Sequence, residues 1–344
     1  MTVVGLLIIA LAVTVLPLFV KKVGDNLEVF LLVTGVLAMT ITAQWSLPFV
    51  LEAIQGPIKI TIAVLAASLL FHFLQRPLEQ AITGLRRRVG PRTLVCALIA
   101  LVGLLSSFIT AIIASLIMVE AVSRLKLDQR TETRVVILAC FSIGLGAALT
   151  PFGEPLAAVA VTKLAGAPYH ADTWFLLRIL WMYVIPGIAL LSAAGIVVVG
   201  RPGALESPVP HEERETILSA LVRTAKVYVF VVGLICLGKG FTPLIDSFIG
   251  SISYLALFWV NITSAVLDNA TLTAAEIVPS MQMHQIVAAL MGLLIAGGML
   301  VPGNIPNIIA AGKLKIESRE WARFGVPVGM VMMIAAFLIL LVQR

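Results

Sequence analysis

The chain has 344 residues, 60% of them hydrophobic and 12% charged, with a mean hydropathy of +1.06. A soluble domain of that length does not carry such a composition, and its apolar runs are continuous rather than alternating. This predicts an all-α polytopic membrane protein and excludes a β-barrel. The formal net charge of +6 lies between the apolar runs, which reads as membrane orientation and not as nucleic-acid binding.

The first run begins at residue 3 with no basic stretch before it and no small-residue cleavage site after it, so it is read as a retained helix. Spans are predicted at roughly 3–20, 27–43, 57–74, 135–162, 175–200, 226–242, 285–312 and 321–342. Two further segments, 94–123 and 250–280, are long but interrupted by polar residues. The interruptions are Ser106-Ser107-Phe108-Ile109-Thr110 and the stretch from Asn261 to Thr271. Non-helical backbone at membrane depth must be buried in protein or line a cavity. Each segment is therefore either one kinked span or a re-entrant hairpin.

The distribution of charge favours hairpins. With Lys21 and Lys22 cytoplasmic and both segments re-entrant, 19 of the 24 Lys and Arg residues face the cytoplasm. A single crossing in place of either hairpin degrades that asymmetry. The expected location is the cell membrane, with both termini and the 44–56 loop external. Glu120 then lies near the interface at the cytoplasmic end of the first hairpin, and Glu276 near the outer face. The linker 201–225 is turn-rich, and Thr216 to Arg223 read as a short amphipathic helix on the membrane surface. Cys96, Cys140 and Cys236 lie in apolar segments with no metal or disulfide spacing.

The second half repeats the first. Leu149-Thr150-Pro151-Phe152-Gly153-Glu154-Pro155 and Leu300-Val301-Pro302-Gly303-Asn304-Ile305-Pro306-Asn307 share a Pro-x-x-x-Pro spacing around a glycine. Both run on into Lys-Leu, at Lys163 and Lys313. Proline removes a backbone donor, so Pro151, Gly153 and Pro155, and Pro302, Gly303 and Pro306, predict unwound helix middles. Residues 1–56 precede the repeat. The first repeat is 57–200, with hairpin 94–123 and broken helix 135–162. The second is 226–344, with hairpin 250–280 and broken helix 285–312. The charge pattern runs the halves in opposite directions, an inverted-topology repeat with two re-entrant hairpins and two broken helices. Discontinuous helices at matching positions of such halves point to a transporter's binding site.

Asp268 is the outstanding residue of that region. A charge at bilayer depth costs about 2.5–3.5 kcal/mol on insertion scales, and hydroxyl and amide oxygens surround it in sequence. Glu154 is a second acid in a broken helix. The candidate neutral ligands are Ser106, Ser107, Thr110, Thr150, Ser264, Asn269, Thr271, Asn304 and Asn307, oxygen donors suited to a hard cation. Asp268, Asn269 and Glu154 are the candidate sodium ligands. A partly desolvated carboxylate takes up either a proton or a metal ion, which suffices for cation/proton exchange. The bland alternatives are that Asp268 caps a helix or pairs with a distant base, and that Glu154 satisfies loop amides. A carrier of anions or dicarboxylates remains a second option. No His-Glu-x-x-His, Gly-x-Ser-x-Gly or nucleotide-binding loop is present, so neither an enzyme nor a cofactor is expected. The expected partners are the bilayer and a small inorganic ion.

Ser264-Ala265-Val266-Leu267-Asp268-Asn269 resembles the Ser-x-x-x-Asp-Asn hairpin motif of the ion transporter superfamily, and Thr150-Pro151-Phe152-Gly153-Glu154 is similar to its Thr-Pro-x-Gly-Asp broken helix, with Glu for Asp. The likeness runs to NhaD-type sodium/proton antiporters, arsenite-pump-like permeases and a short prokaryotic branch of cation transporters. It implies alternating access and a homodimer. NhaD-type proteins also carry Asp-Asn in the first hairpin, where Thr110-Ala111 stand here, so one acid of that pattern is missing.

Overall fold

The computed structural model describes all residues except 1, 25, 59–60, 63–64, 66–88, 126, 201–216, 250–252, 268 and 343–344. Every regular element among the described residues is a helix. Four stretches are long and apolar enough to cross a membrane: Pro91–Ile109, Phe175–Val199, Thr224–Leu244 and Ser318–Val342. Their outer faces expose Leu190, Val331 and Leu338 at 70%, 68% and 56%. Apolar faces of that extent require an apolar surrounding.

The chain opens with α1 (Thr2–Phe19), α2 (Leu27–Ile41) and α3 (Leu47–Ile58). Helix α3 corrects the expectation of an external loop over 44–56. Ser46 caps it by accepting from the Phe49 N–H at 3.3 Å, and Pro48 sits in its first turn, where a missing N–H costs nothing. The predicted span 57–74 lies mostly outside the described residues.

Next come α4 (Pro91–Ile109) and α5 (Ala111–Ser123), separated only by Thr110. Thr110 adopts φ 72, ψ 149, and its hydroxyl accepts from the Ile113 N–H. One residue turned out of the helical region ends α4 and starts α5. α6 (Gln129–Ala147) follows, capped by Asp128, then α7 (Pro155–Lys163) and α8 (Phe175–Val199). α9 runs unbroken over Ile217–Ile249. The segment expected as a separate surface helix is thus largely the first turns of α9.

The second half contains α10 (Tyr254–Val260), a 3-10 turn (Asn261–Ala265), α11 (Asn269–Glu276), α12 (Met283–Gly297), a 3-10 turn (Val301–Gly303), α13 (Ile305–Leu314) and α14 (Ser318–Val342). The two interrupted segments are unequal. The arms of the first are 19 and 13 residues, so α4 alone is of spanning length; α10 and α11 have 7 and 8.

The contacts nonetheless repeat. α4 packs on α6, and α6 on α8; α10 with its turn packs on α12, and α12 on α14. The shorter arms are exchanged between halves: α13 lies on α5, and α7 lies on α11. α6 and α12 form the centre, since Val135–Ala148 and Ile286–Gly297 are buried on all sides. A helix apolar all round belongs in an interior. α2 joins the second half through α9, where a Cβ on Gly35 would stand 2.6 Å from the Gly233 carbonyl oxygen. Such backbone contact is how small residues associate helices in lipid.

Candidate functional site

The two central helices break in the same way. Residues 148–154 separate α6 from α7, and residues 298–304 separate α12 from α13. The second segment of each begins from an extended residue, Glu154 at φ −153, ψ 160 and Asn304 at φ −153, ψ 148. A glycine precedes each. A Cβ on Gly153 would lie 2.6 Å from the Ala147 carbonyl carbon, and one on Gly303 would lie 2.5 Å from the Gly297 carbonyl oxygen. The chain doubles back onto the end of its own helix, and only glycine fits. Pro155 and Pro306 do not sit in the unwound stretches: Pro155 is the first residue of α7, and Pro306 the second of α13.

Each break is stitched to the interrupted segment that precedes it in the chain. In the first half, Ser106 Oγ donates to Gly103 O at 2.6 Å and to Ile143 O at 3.0 Å. Ser107 Oγ donates to Gly146 O at 2.7 Å, and Thr150 Oγ1 donates to the Ser107 carbonyl. The Ala111 N–H donates to Gly153 O at 2.9 Å. In the second half, Ser264 Oγ contacts Leu293 O at 3.0 Å and Asn269 Oδ1. Asn307 Nδ2 donates to Gly297 O and Leu300 O, both at 2.8 Å. The first half thus caps its freed carbonyls with hydroxyls and the second largely with an amide.

Between these two assemblies lies a cavity of about 20 Å³. Glu154, Asn269, Asn304, Pro302 and Gly303 line it, with the first residues of α7, α11 and α13. It has room for one water or one small ion. Glu154 and Asn269 are buried, and Asn269 Nδ2 and Asn307 Oδ1 have no hydrogen-bond partner. Helix N-termini carry partial positive charge, and Glu154 stands at the start of α7. Glu154, Asn269 and Asn304 border the cavity, and the Asn269 Oδ1 is held from behind by Ser264 Oγ.

Residues 3–343 match the family described as Protein of unknown function (DUF1646). The chain belongs to the DUF1646 family. No curated protein matches it.

The residues singled out in this DUF1646 chain divide into three groups. Glu154, Asn269 and Asn304 meet at the cavity, with Ser264 bonded behind Asn269. Ser106, Ser107 and Asn307 are buried and donate to carbonyls at or near the breaks, Thr150 is buried and donates from the first break to Ser107 O, and Thr110 is half-buried at the start of α5. Asp268 lies outside the described residues, and so does the side chain of Thr271, though the neighbour Asn269 borders the cavity. Among the described residues, no group of three His, Cys, Asp or Glu side chains forms a metal cluster.

Two further acids are buried in the protein. Glu120 is 5% exposed. Arg124 Nη2 approaches its Oε1 at 2.6 Å, and Lys313 Nζ its Oε2 at 3.0 Å. Lys313, at the end of α13, thereby fastens the two halves where α13 crosses α5, whereas Lys163 is exposed. Glu276 is 3% exposed and bonded to Asn261.

Proposed function

We propose that this DUF1646 protein is a secondary active transporter, a monovalent cation/proton antiporter for sodium, with the Glu154 cavity and adjacent Asp268 as its ion site. The observation that carries this is the meeting of two broken helices and a hairpin arm around one small cavity lined by a buried carboxylate. On this reading the halves form an inverted-topology repeat, and residues 94–123 and 250–280 are re-entrant hairpins. The matching breaks and the exchanged arms support the repeat, and the motif likeness to the ion transporter superfamily agrees with it. Sodium binds between Glu154, Asp268 and the Asn269 and Asn304 oxygens, and protons compete for the same acids. Cytoplasmic basic loops, external termini, the cell membrane and a homodimer belong to the same proposal.

Converging helix N-termini also suit anions, which keeps a carboxylate carrier as the second reading. Against it, the cavity of about 20 Å³ admits no dicarboxylate and is already lined by an acid.

The test is a sodium pulse on proteoliposomes carrying a pH-sensitive dye. Wild type should acidify or alkalinise the lumen according to the imposed gradient, and Asp268→Asn and Glu154→Gln should each abolish the response. A wild-type protein that is folded, inserted and silent to every monovalent cation would end the antiporter reading. Stabilisation by dicarboxylates without sodium would favour the second.

A further inference from the structure

Asn261 opens the turn after α10 and Glu276 closes α11; they are 0% and 3% exposed. Asn261 Nδ2 donates to Glu276 Oε2 at 2.9 Å and to Ala289 O at 3.0 Å. Both amide hydrogens are therefore used, and the amide cannot turn over without setting its oxygen against the Ala289 carbonyl. Asn261 Oδ1 is left buried with no partner. An orphaned acceptor beside a carboxyl group calls for a proton, since a neutral carboxyl is also a donor.

The surroundings argue the same way. Glu276 borders a cavity of about 700 Å³ among α1, α9, α14 and the turn, and among the described residues of that wall it is the charged one. An apolar cavity excludes the water that would solvate a carboxylate. No base answers it. α1 has no charged residue in its range, Lys226 of α9 pairs with Glu28, and His284 of α12 rests edge-on against Tyr254 of α10. Lys163 of α7, Arg223, Lys239 and Asp246 of α9, and Arg319, Glu320 and Arg323 of α14 complete the charged groups on these helices. The side chains of Arg223 and Asp246 lie outside those described, and none of the others is bonded to or paired with Glu276 among the described contacts.

We propose that Glu276 and Asn261 are a proton-holding pair, distinct from the Glu154 cavity, in which Glu276 Oε1 carries a proton donated to Asn261 Oδ1 while Oε2 accepts from Nδ2. On release, which requires an opening that admits water to the pair, the Oε1–H bond breaks, the proton passes to that water as hydronium, and the carboxylate keeps the electron pair and the Nδ2 bond. Asn261 Oδ1 loses its donor. The pair belongs to one half only. With Ser106 and Ser264 superposed through their bonds to Ile143 O and Leu293 O, Gly103 and Met118 stand where Asn261 and Glu276 do. In its role this rests on the antiporter reading: Glu276 holds a proton beside the ion site, in addition to those that compete with the cation for the cavity acids.

Infrared difference spectra of the full chain in lipid nanodiscs test the pair. At pH 7 wild type should show the carbonyl stretch of a protonated acid, sensitive to deuterium exchange and missing from Glu276→Gln. Asn261→Ala should move that band toward an unbonded carboxyl. A pH 7 spectrum in which Glu276→Gln removes no such band, or Asn261→Ala leaves it unmoved, overturns the proposal. The glutamine amide can reproduce both hydrogen bonds, so this variant should fold. In wild type the folded state keeps a proton that unfolded Glu, with a pKa of about 4.3, has lost at neutral pH. Stability should therefore fall as pH rises, and Glu276→Gln should flatten that slope; an unchanged slope counts against the pair. Silence of wild type to all cations would defeat the antiporter reading while leaving the infrared result standing.

Discussion

Replacing Gly303 with alanine tests the central geometry directly. The new Cβ would stand 2.5 Å from Gly297 O and 2.9 Å from both Ala265 O and Ser264 O. These three backbone oxygens belong to two different elements, the end of α12 and the hairpin turn, so no single side chain can swing aside. Gly303 is not in the left-handed region, and the cost is therefore steric alone. Overpacking a well-filled site costs about 1–3 kcal/mol. Three rigid contacts put this case at the top of that range, about 3 kcal/mol. At about 2 °C per kcal/mol for large domains, the melting temperature should drop by about 6 °C. Gly312→Ala is the internal control: nothing lies within 4 Å of its Cβ, and alanine in a helix gains up to about 1 kcal/mol over glycine. Melting of both variants in detergent, followed by size-exclusion fluorescence, reads the difference. If Gly303→Ala melts with wild type, the break does not close on the hairpin turn and the cavity is not built as described.

Other substitutions read separate joints. Asn307→Ala removes two hydrogen bonds to buried carbonyls, at about 1 kcal/mol each, and should cost about 2 kcal/mol in a denaturation series. Ala157 occupies the matching place in α7, so Ala157→Gly should fall short of that loss, at about 1 kcal/mol. Glu120→Gln and Lys313→Met, alone and combined, should show a coupling of about 1–3 kcal/mol in a double-mutant cycle. Arg124 stays beside Glu120 in Lys313→Met and keeps the effect below that of a fully orphaned buried charge. Additive effects would mean that α13 is not fastened to α5 through this pair.

Much of this arrangement was legible in the residue order. Pro151, Gly153, Pro302 and Gly303 announce unwound chain because proline and glycine act locally, and the spacing from Lys163-Leu164 to Lys313-Leu314 matches the spacing from Glu154 to Asn304 in the structure. The prolines themselves are displaced by one position between halves, because either of the first two helical residues can dispense with its N–H. Helix α3 was misread because Pro48 signals both a break and a helix start. The Glu120 ion pair was not legible because its partner Lys313 is 193 residues away, beyond any local pattern. The Asn261–Glu276 contact was hidden differently: Asn261 looked like part of a polar hairpin tip, and nothing in the sequence shows that α11 returns its last residue to the base of that tip.

The crossed arms carry a consequence for biosynthesis. When the ribosome has completed only α4 to α8, α7 has no α11 to rest on and α5 has no α13, so two short helices and the Glu154 corner wait unsheltered. Maturation has to be a late, joint event in which both halves trade pieces at once. A cell that made the two halves as separate polypeptides would have to bring them together before either settled.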